Sequence, residues 1–247
     1  MAASNRAARA ALFVMCVVDQ VLPEIGVAAV RLLRRAGYAV DFPAEQTCCG
    51  QPFVNSGFRD QALPLIRRTI EVFEPYETVV MPSGSCVAMI RKEYPHLLED
   101  DPVWGPRARA LAAKTYELTE FLVHIARWTP PRSDSAPAVT YHDSCHMNHL
   151  IGLKDEPRGL LRAVGCTIHE MVESDRCCGF GGVFSIRMPE VSNAMTADKL
   201  HQAAASGAPL LVTADPGCLM QMRGMLASGA GGVQVTHIAT LLEELTR

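Results

Sequence analysis

The cysteines of this chain fall into two matching sets. Cys16, Cys48, Cys49 and Cys86 are answered by Cys145, Cys177, Cys178 and Cys218, with Cys166 left over. Cys16 to Cys48 and Cys145 to Cys177 both span 32 positions, and each vicinal pair runs into a glycine, Gly50 or Gly179. Leu32-Leu33-Arg34-Arg35-Ala36-Gly37 matches Leu160-Leu161-Arg162-Ala163-Val164-Gly165, and the apolar runs 78–81 and 210–213 lead into Cys86 and Cys218. A unit of about 129 residues has been duplicated. Residues 1–130 are read as the first unit and 131–247 as the second, joined through 128–137, which holds three prolines and two serines.

Each unit alternates strand and helix patterns. In the first, 12–18 reads as a buried strand, followed by a helix ending near Gly37, a strand at 38–42, the Cys-Cys-Gly loop, a helix at 60–73 and a buried strand at 79–81. The turn 82–85 then opens a helix near Cys86, and Leu111, Thr115, Leu118, Leu122 and Ile125 fit one helical face. The second unit repeats the order with strands at 138–141, 167–171 and 210–213, and helices at 152–164, 189–205 and from Gly217. The expected fold is α/β: two duplicated Rossmann-like units, each a parallel sheet flanked by helices, related by pseudo-two-fold symmetry. In such sheets, ligands gather beyond the carboxyl ends of the strands. Each cysteine quartet falls at such ends, so one four-thiol site per unit is expected.

Composition narrows the chemistry. With 23 basic and 26 acidic residues the chain carries a net charge of −3, leaving no basic excess to neutralise a nucleic acid backbone. No apolar run is long enough to span a membrane. Arg6 and Arg9 precede only a short apolar stretch, which reads as a first strand rather than a signal peptide. Nine cysteines in 247 residues is far below the density of a disulfide scaffold. A reducing cytoplasm is expected, where repeated cysteine spacings point to metal or thiol chemistry.

Successive side chains on an extended strand face opposite ways, so two vicinal thiols serve one site only where the backbone turns, and Gly50 and Gly179 provide for that. Adjacent α-carbons lie about 3.8 Å apart, too close for an ordinary disulfide. Buried apolar cysteines are common, but eight in matched sets are not explained that way. Four thiolates suit an iron–sulfur cluster or zinc. Neither unit has the Cys-x-x-Cys pair of most structural zinc sites, and ligands from three distant loops suit a polynuclear cluster. Cys86 and Cys218 sit near expected helix starts, which favour thiolates and also allow a nucleophilic role for either.

The phrases Met81-Pro-Ser-Gly-Ser-Cys86, Tyr141-His-Asp-Ser-Cys-His146, Cys177-Cys-Gly-Phe-Gly-Gly-Val-Phe-Ser185, Arg187-Met-Pro-Glu190 and Ala214-Asp-Pro-Gly-Cys218 carry a resemblance. The chain resembles the cysteine-rich CCG domain family, which includes a heterodisulfide reductase component and the iron–sulfur subunits of glycolate and glycerol-3-phosphate oxidases. Its short two-unit lactate-utilisation members are the nearer match. That resemblance implies a cytosolic iron–sulfur protein for oxidising L-lactate to pyruvate, acting with iron–sulfur and accessory partner proteins. It implies that Cys16, Cys48, Cys49, Cys86, Cys145, Cys177, Cys178 and Cys218 hold [4Fe–4S]-type clusters, cubane or non-cubane. The pattern departs at one point: where the heterodisulfide reductase component has Cys-x-x-Cys, the first cysteine is replaced by Ser83 and by Asp215. Asp215 is an oxygen-ligand candidate, Ser83 a weaker one, and either residue also suits a helix cap.

The remaining residues read more simply. His142, His146 and His149 surround Cys145, as proton carriers or as the polar, exposed start of a helix. Residues 179–182 superficially resemble a phosphate loop, yet no dinucleotide or Walker pattern is present. Cys166 and Met220, Met222 and Met225 read as core, and Arg31, Arg34 and Arg35 as a solvated helix face. Two functions follow: an iron–sulfur electron-transfer subunit, or a zinc-holding, non-redox assembly module of the same complex.

Overall fold

The computed structural model describes residues 8–227 and 232–247; Arg6 lies outside them. The first half runs β1 (Arg9–Leu12), α1 (Cys16–Gln20), α2 (Pro23–Arg35), β2 (Ala39–Asp41), α3 (Gln51–Asn55), α4 (Arg59–Phe73), β3 (Val79–Met81), α5 (Gly84–Ala88), α6 (Tyr94–Leu97), α7 (Trp104–Ala113), β4 (Thr115–Glu117) and α8 (Leu118–Glu120). A π-helical stretch, Met89–Glu93, joins α5 to α6, and another, Phe121–Ile125, extends α8. The second half runs β5 (Ala138–His142), a π-helical turn (His146–Leu150), α9 (Asp155–Val164), β6 (Thr167–Ile168), α10 (Val183–Arg187), α11 (Pro189–Ala205), β7 (Leu210–Thr213), α12 (Pro216–Ala227), β8 (Gln234–His237) and α13 (Ile238–Leu245).

Each half forms a four-stranded sheet, ordered β2-β1-β3-β4 and β6-β5-β7-β8. Every pairing is parallel, so the duplicated Rossmann-like α/β architecture is present in both halves. The chain passes from β1 outward to β2, then crosses back to β3 on the other side of β1. The switch point of each sheet therefore lies between β1 and β3, or between β5 and β7, which is where such folds open a crevice.

Three local expectations are corrected. The first strand stops at Leu12, and the apolar run continues as the half-buried helix α1 instead of extending to residue 18. A continuous apolar run has no period that separates strand from helix. The stretch 111–125 is not one helix: β4 interrupts it, with Thr115 and Glu117 buried. Its counterpart β8 also escapes a pattern search, because a short edge strand adds little signal of its own. The strand expected at 167–171 pairs only through Thr167 and Ile168.

The halves meet reciprocally. Helix α2 packs on α13 and α9 on α8, while α5 meets the turn His146–Leu150 and α1 meets α12. Corresponding elements exchange contacts across the boundary, as they do at a two-fold interface. Here Gly84 is required, because a Cβ on it would lie 2.6 Å from the Cβ of Met147. The arginines of α2 are not simply a solvated face. Arg35 donates to the Glu243 carboxylate (3.0 Å), the Glu243 carbonyl (2.9 Å) and Thr246 Oγ1 (2.7 Å), and Arg31 reaches the same carboxylate at 3.4 Å. No helix among the described residues is long and apolar enough to cross a membrane.

Candidate metal centre

The first quartet assembles at the switch point of the first sheet. Cys16 opens α1 beyond β1, Cys48 and Cys49 lie in the loop after β2, and Cys86 sits in the first turn of α5 beyond β3. Cys16 Sγ lies 3.6 Å from Cys48 Sγ, and Cys49 Sγ lies 3.4 Å from Cys86 Sγ. These separations are far beyond the ~2.05 Å of a disulfide bond, and all nine cysteines are free thiols. The turn that brings the vicinal pair to one site is made by Gly50, at φ +86°, whose N–H donates to Cys48 Sγ at 3.4 Å. Tyr94 fixes the loop by donating its hydroxyl to the Cys49 carbonyl at 2.8 Å. Gln46 ties it to β1, accepting from Val14 N–H (2.6 Å) and donating to the Leu12 carbonyl (3.3 Å).

The second quartet follows the same plan. Cys145 lies beyond β5, Cys177 and Cys178 lie in the loop after β6, and Cys218 is in the first turn of α12. All four of these cysteines line the same cavity. Gly179, at φ +92°, donates its N–H to Cys177 Sγ at 3.4 Å. Its surroundings are polar where those of Gly50 are apolar. Thr196 Oγ1 donates to the Cys178 carbonyl (2.8 Å), and Ser192 Oγ to the Gly179 carbonyl (2.8 Å). Buried Lys199 donates to the Glu173 and Ser174 carbonyls at 2.7 and 3.3 Å. Arg158 grips Asp143 through both nitrogens at 2.7 and 2.8 Å, and Ser174 Oγ adds a third bond at 2.8 Å.

Within each quartet the first cysteine of the vicinal pair is the most acidic. Cys48 is lowered to about 3, because Cys16, Cys49 and the Gly50 N–H all hydrogen-bond its thiolate. Cys177 is lowered by the same arrangement of Cys145, Cys178 and Gly179. Their donors move the other way: hydrogen bonding to the neighbouring thiolate, and then burial, raise Cys16, Cys49, Cys145 and Cys178. A soft cation entering such a set displaces the protons that these thiols share.

Both quartets line one cavity of about 130 Å³, together with Met15, Val17, Pro52, Phe180 and Asp215. Ser83 and Asp215 take part in capping there. Ser83 Oγ accepts from Cys86 N–H at 3.4 Å, and Asp215 Oδ1 accepts from Gly217 N–H at 3.1 Å. Asp215 Oδ2 reaches across the boundary to Ser85 N–H at 2.8 Å.

The three histidines part company. His149 is exposed, while His146 Nδ1 lies 3.5 Å from Cys145 Sγ. His142 is fully buried at the end of β5, which corrects its reading as an exposed helix start. Burial holds it neutral, pushed down to about 4. An imidazole nitrogen of His142 and the sulfurs of Cys178 and Cys218 lie within 4.8 Å of one another. The signal available in the sequence is positional: Phe13 occupies the equivalent place in the first half, three residues before its first cysteine. Cys166 is buried apart from both quartets and raised to about 11 by that burial. Met222 is core, while Met220 and Met225 line a groove beside Phe180 and Gly182.

A family model described as CCG, a cysteine-rich domain, matches residues 10–91 and 139–223. Lactate utilization protein A of an Exiguobacterium species is 46% identical over 237 residues, covering 95% of this chain and 96% of that protein. The protein of the same name from Bacillus subtilis is 45% identical over 235 residues, covering 95% and 98%. Among solved structures, a hypothetical protein from Helicobacter pylori aligns at TM-score 0.70 and 10% identity, covering 98% of this chain. This chain spans about half (49%) of that one's length, and the likeness concerns the fold alone.

Proposed function

The chain belongs to the CCG cysteine-rich family, with lactate utilization protein A relatives along nearly its whole length, and from that premise we propose that it is the iron–sulfur electron-transfer subunit of an L-lactate oxidising system. The observation that carries this reading is the gathering of eight thiols, as two quartets from six loops, around a single cavity. When bound, a cluster accepts and releases electrons one at a time. Oxidising lactate to pyruvate removes two electrons, and two neighbouring centres in one chain suit that stoichiometry.

The protein's own groups prepare each site. Cys48 and Cys177 present thiolates, and the Gly50 and Gly179 amides donate to those sulfurs. Such donors stabilise anionic sulfur and tune the potential of any centre it holds. Met15, Val17, Pro52 and Phe180 limit water in the cavity. No flavin or nicotinamide motif occurs in the sequence, so partner iron–sulfur and accessory proteins of the same system supply the remaining steps. Free thiols throughout fit the reducing cytoplasm.

A second reading has its own support. Sulfur separations of 3.4 and 3.6 Å approach the ~3.8 Å edge of a thiolate tetrahedron around one ion with ~2.3 Å bonds. A zinc-holding assembly module would show that spacing. Anaerobic purification followed by iron, acid-labile sulfide and zinc quantification decides between them. Brown protein with iron and sulfide, bleached by air, is the expected result. Colourless protein carrying zinc alone overturns the electron-transfer reading.

A further inference from the structure

The two halves share a backbone plan, yet their centres have different surroundings. Beside Gly50 the first half places Ala62 and Ile66, whereas beside Gly179 the second half places Ser192 and Thr196. The largest difference comes three residues before the first cysteine of each quartet. Phe13 stands there in the first half, stacked on Phe73 with ring centroids 4.6 Å apart. His142 stands there in the second.

His142 is 0% exposed, and neither ring nitrogen has a hydrogen-bond partner among the described residues. A buried polar atom left unpaired costs about 1–3 kcal/mol, so an imidazole with two such atoms calls for a partner. The neighbouring groups are engaged elsewhere. Asp143 is held by Arg158 and Ser174, Lys199 by the Glu173 and Ser174 carbonyls, and Asp215 by Ser85 and Gly217. Close at hand are the sulfurs of Cys178 and Cys218, within 4.8 Å of an imidazole nitrogen and of one another.

We propose that His142 is a nitrogen ligand of the second centre, which therefore has a mixed sulfur and imidazole donor set, while the first centre is held without a nitrogen donor. This rests on the metal-binding reading above and concerns only the second quartet. Phe13 offers no donor atom, so the duplication has yielded two chemically distinct sites from one scaffold. Borderline ions and iron accept imidazole and thiolate together, so the set is chemically coherent.

The test uses the full chain, stripped of metal under anaerobic conditions and reloaded with Co²⁺, whose X-ray absorption separates imidazole from sulfur neighbours. Wild-type protein is expected to show sulfur shells plus an imidazole contribution. His146→Ala is expected to keep that contribution, whereas His142→Phe, which installs the first half's residue, is expected to lose it and still bind Co²⁺ through thiolates. A sulfur-only spectrum in wild type overturns the proposal, even if His142→Phe does not fold. An imidazole contribution that disappears in His146→Ala overturns it as well. Failure to take up any Co²⁺ overturns the metal reading along with it, whereas sulfur-only binding leaves that reading intact.

Discussion

Asp215 Oδ2 accepts the backbone N–H of Ser85 at 2.8 Å, joining the turn before Cys218 to the turn before Cys86 across the boundary between the halves. The same carboxylate caps Gly217 through Oδ1 at 3.1 Å. One side chain thus sets the relative position of the two helices that present the last cysteine of each quartet. Asp215→Ala leaves the buried Gly217 amide and the half-buried Ser85 amide without acceptors and is expected to destabilise the metal-free chain by roughly 2–4 kcal/mol in urea unfolding. Asp215→Asn keeps a cap acceptor and should recover much of that loss with metal per chain unchanged. Metal lost with stability preserved would instead make Asp215 a ligand.

The loop glycines make a matched pair. Both sit at positive φ, +86° for Gly50 and +92° for Gly179. A Cβ on Gly50 meets Ala62 and Ile66 at an ordinary 3.7 Å, but one on Gly179 meets the Ser192 carbonyl at 2.4 Å. Gly50→Ala should cost about 1–2 kcal/mol from backbone strain alone. Gly179→Ala forces the loop off α11 as well, so its cost should be larger, roughly 3 kcal/mol or more. Metal quantification of Gly179→Ala is expected to show the second centre depleted and the first retained.

Metal removal exposes the thiol ranking. In chelator-stripped protein, Cys48 and Cys177 should be alkylated first, and already below neutral pH, because their lowered values leave them as thiolates there. Cys49 and Cys178, the most buried of the nine and raised well above their ordinary value, should react slowest, with Cys166, raised to about 11 by burial, between the extremes. Metal-loaded protein should protect all eight quartet thiols; mass spectrometry after timed alkylation reads the order.

Glu117 is fully buried at the end of β4 and caps α8 by accepting from Thr119 N–H (2.6 Å) and Glu120 N–H (3.3 Å). Burial pushes it up to about 8 from 4.5, against the hydrogen bonds that pull it down. The folded chain therefore keeps a proton that the unfolded chain has lost. Its stabilising effect is whole below about 4.5 and falls away as pH rises through about 8. Glu117→Gln should remove this slope and gain on wild type by a few kcal/mol, on the order of the shift converted to free energy, at alkaline pH. Urea midpoints measured across that pH range check it; parallel curves for the two proteins would contradict it.

Much of the fold is legible in the chain. Strands at 79–81 and 210–213 and the helix at 189–205 coincide with β3, β7 and α11, because the two runs are short and apolar between turn signals and the helix is set off by Pro189 at its start and Ser206-Gly207 after its end. β4 and β8 are not legible, being short edge strands whose residues continue the period of neighbouring helices. His142 reads as exposed in the sequence because its neighbours Asp143, Ser144 and His146 make the segment look polar. In the fold Asp143 and Ser144 are themselves buried, and Asp143 is paired with Arg158.

Cysteine spacing and apolar pattern in the sequence pointed to a duplication, to an α/β unit in each half, and to one group of four thiols per half. Those properties are local or periodic, and the order of residues records them directly. Only the tertiary structure decided that both quartets open into one cavity, that Asp215 and Ser85 bridge the halves, that Arg35 docks on Glu243, and that His142 is buried near Cys178 and Cys218. Each of these depends on which apolar faces pack together, and that pairing is set by contacts between residues far apart in the chain.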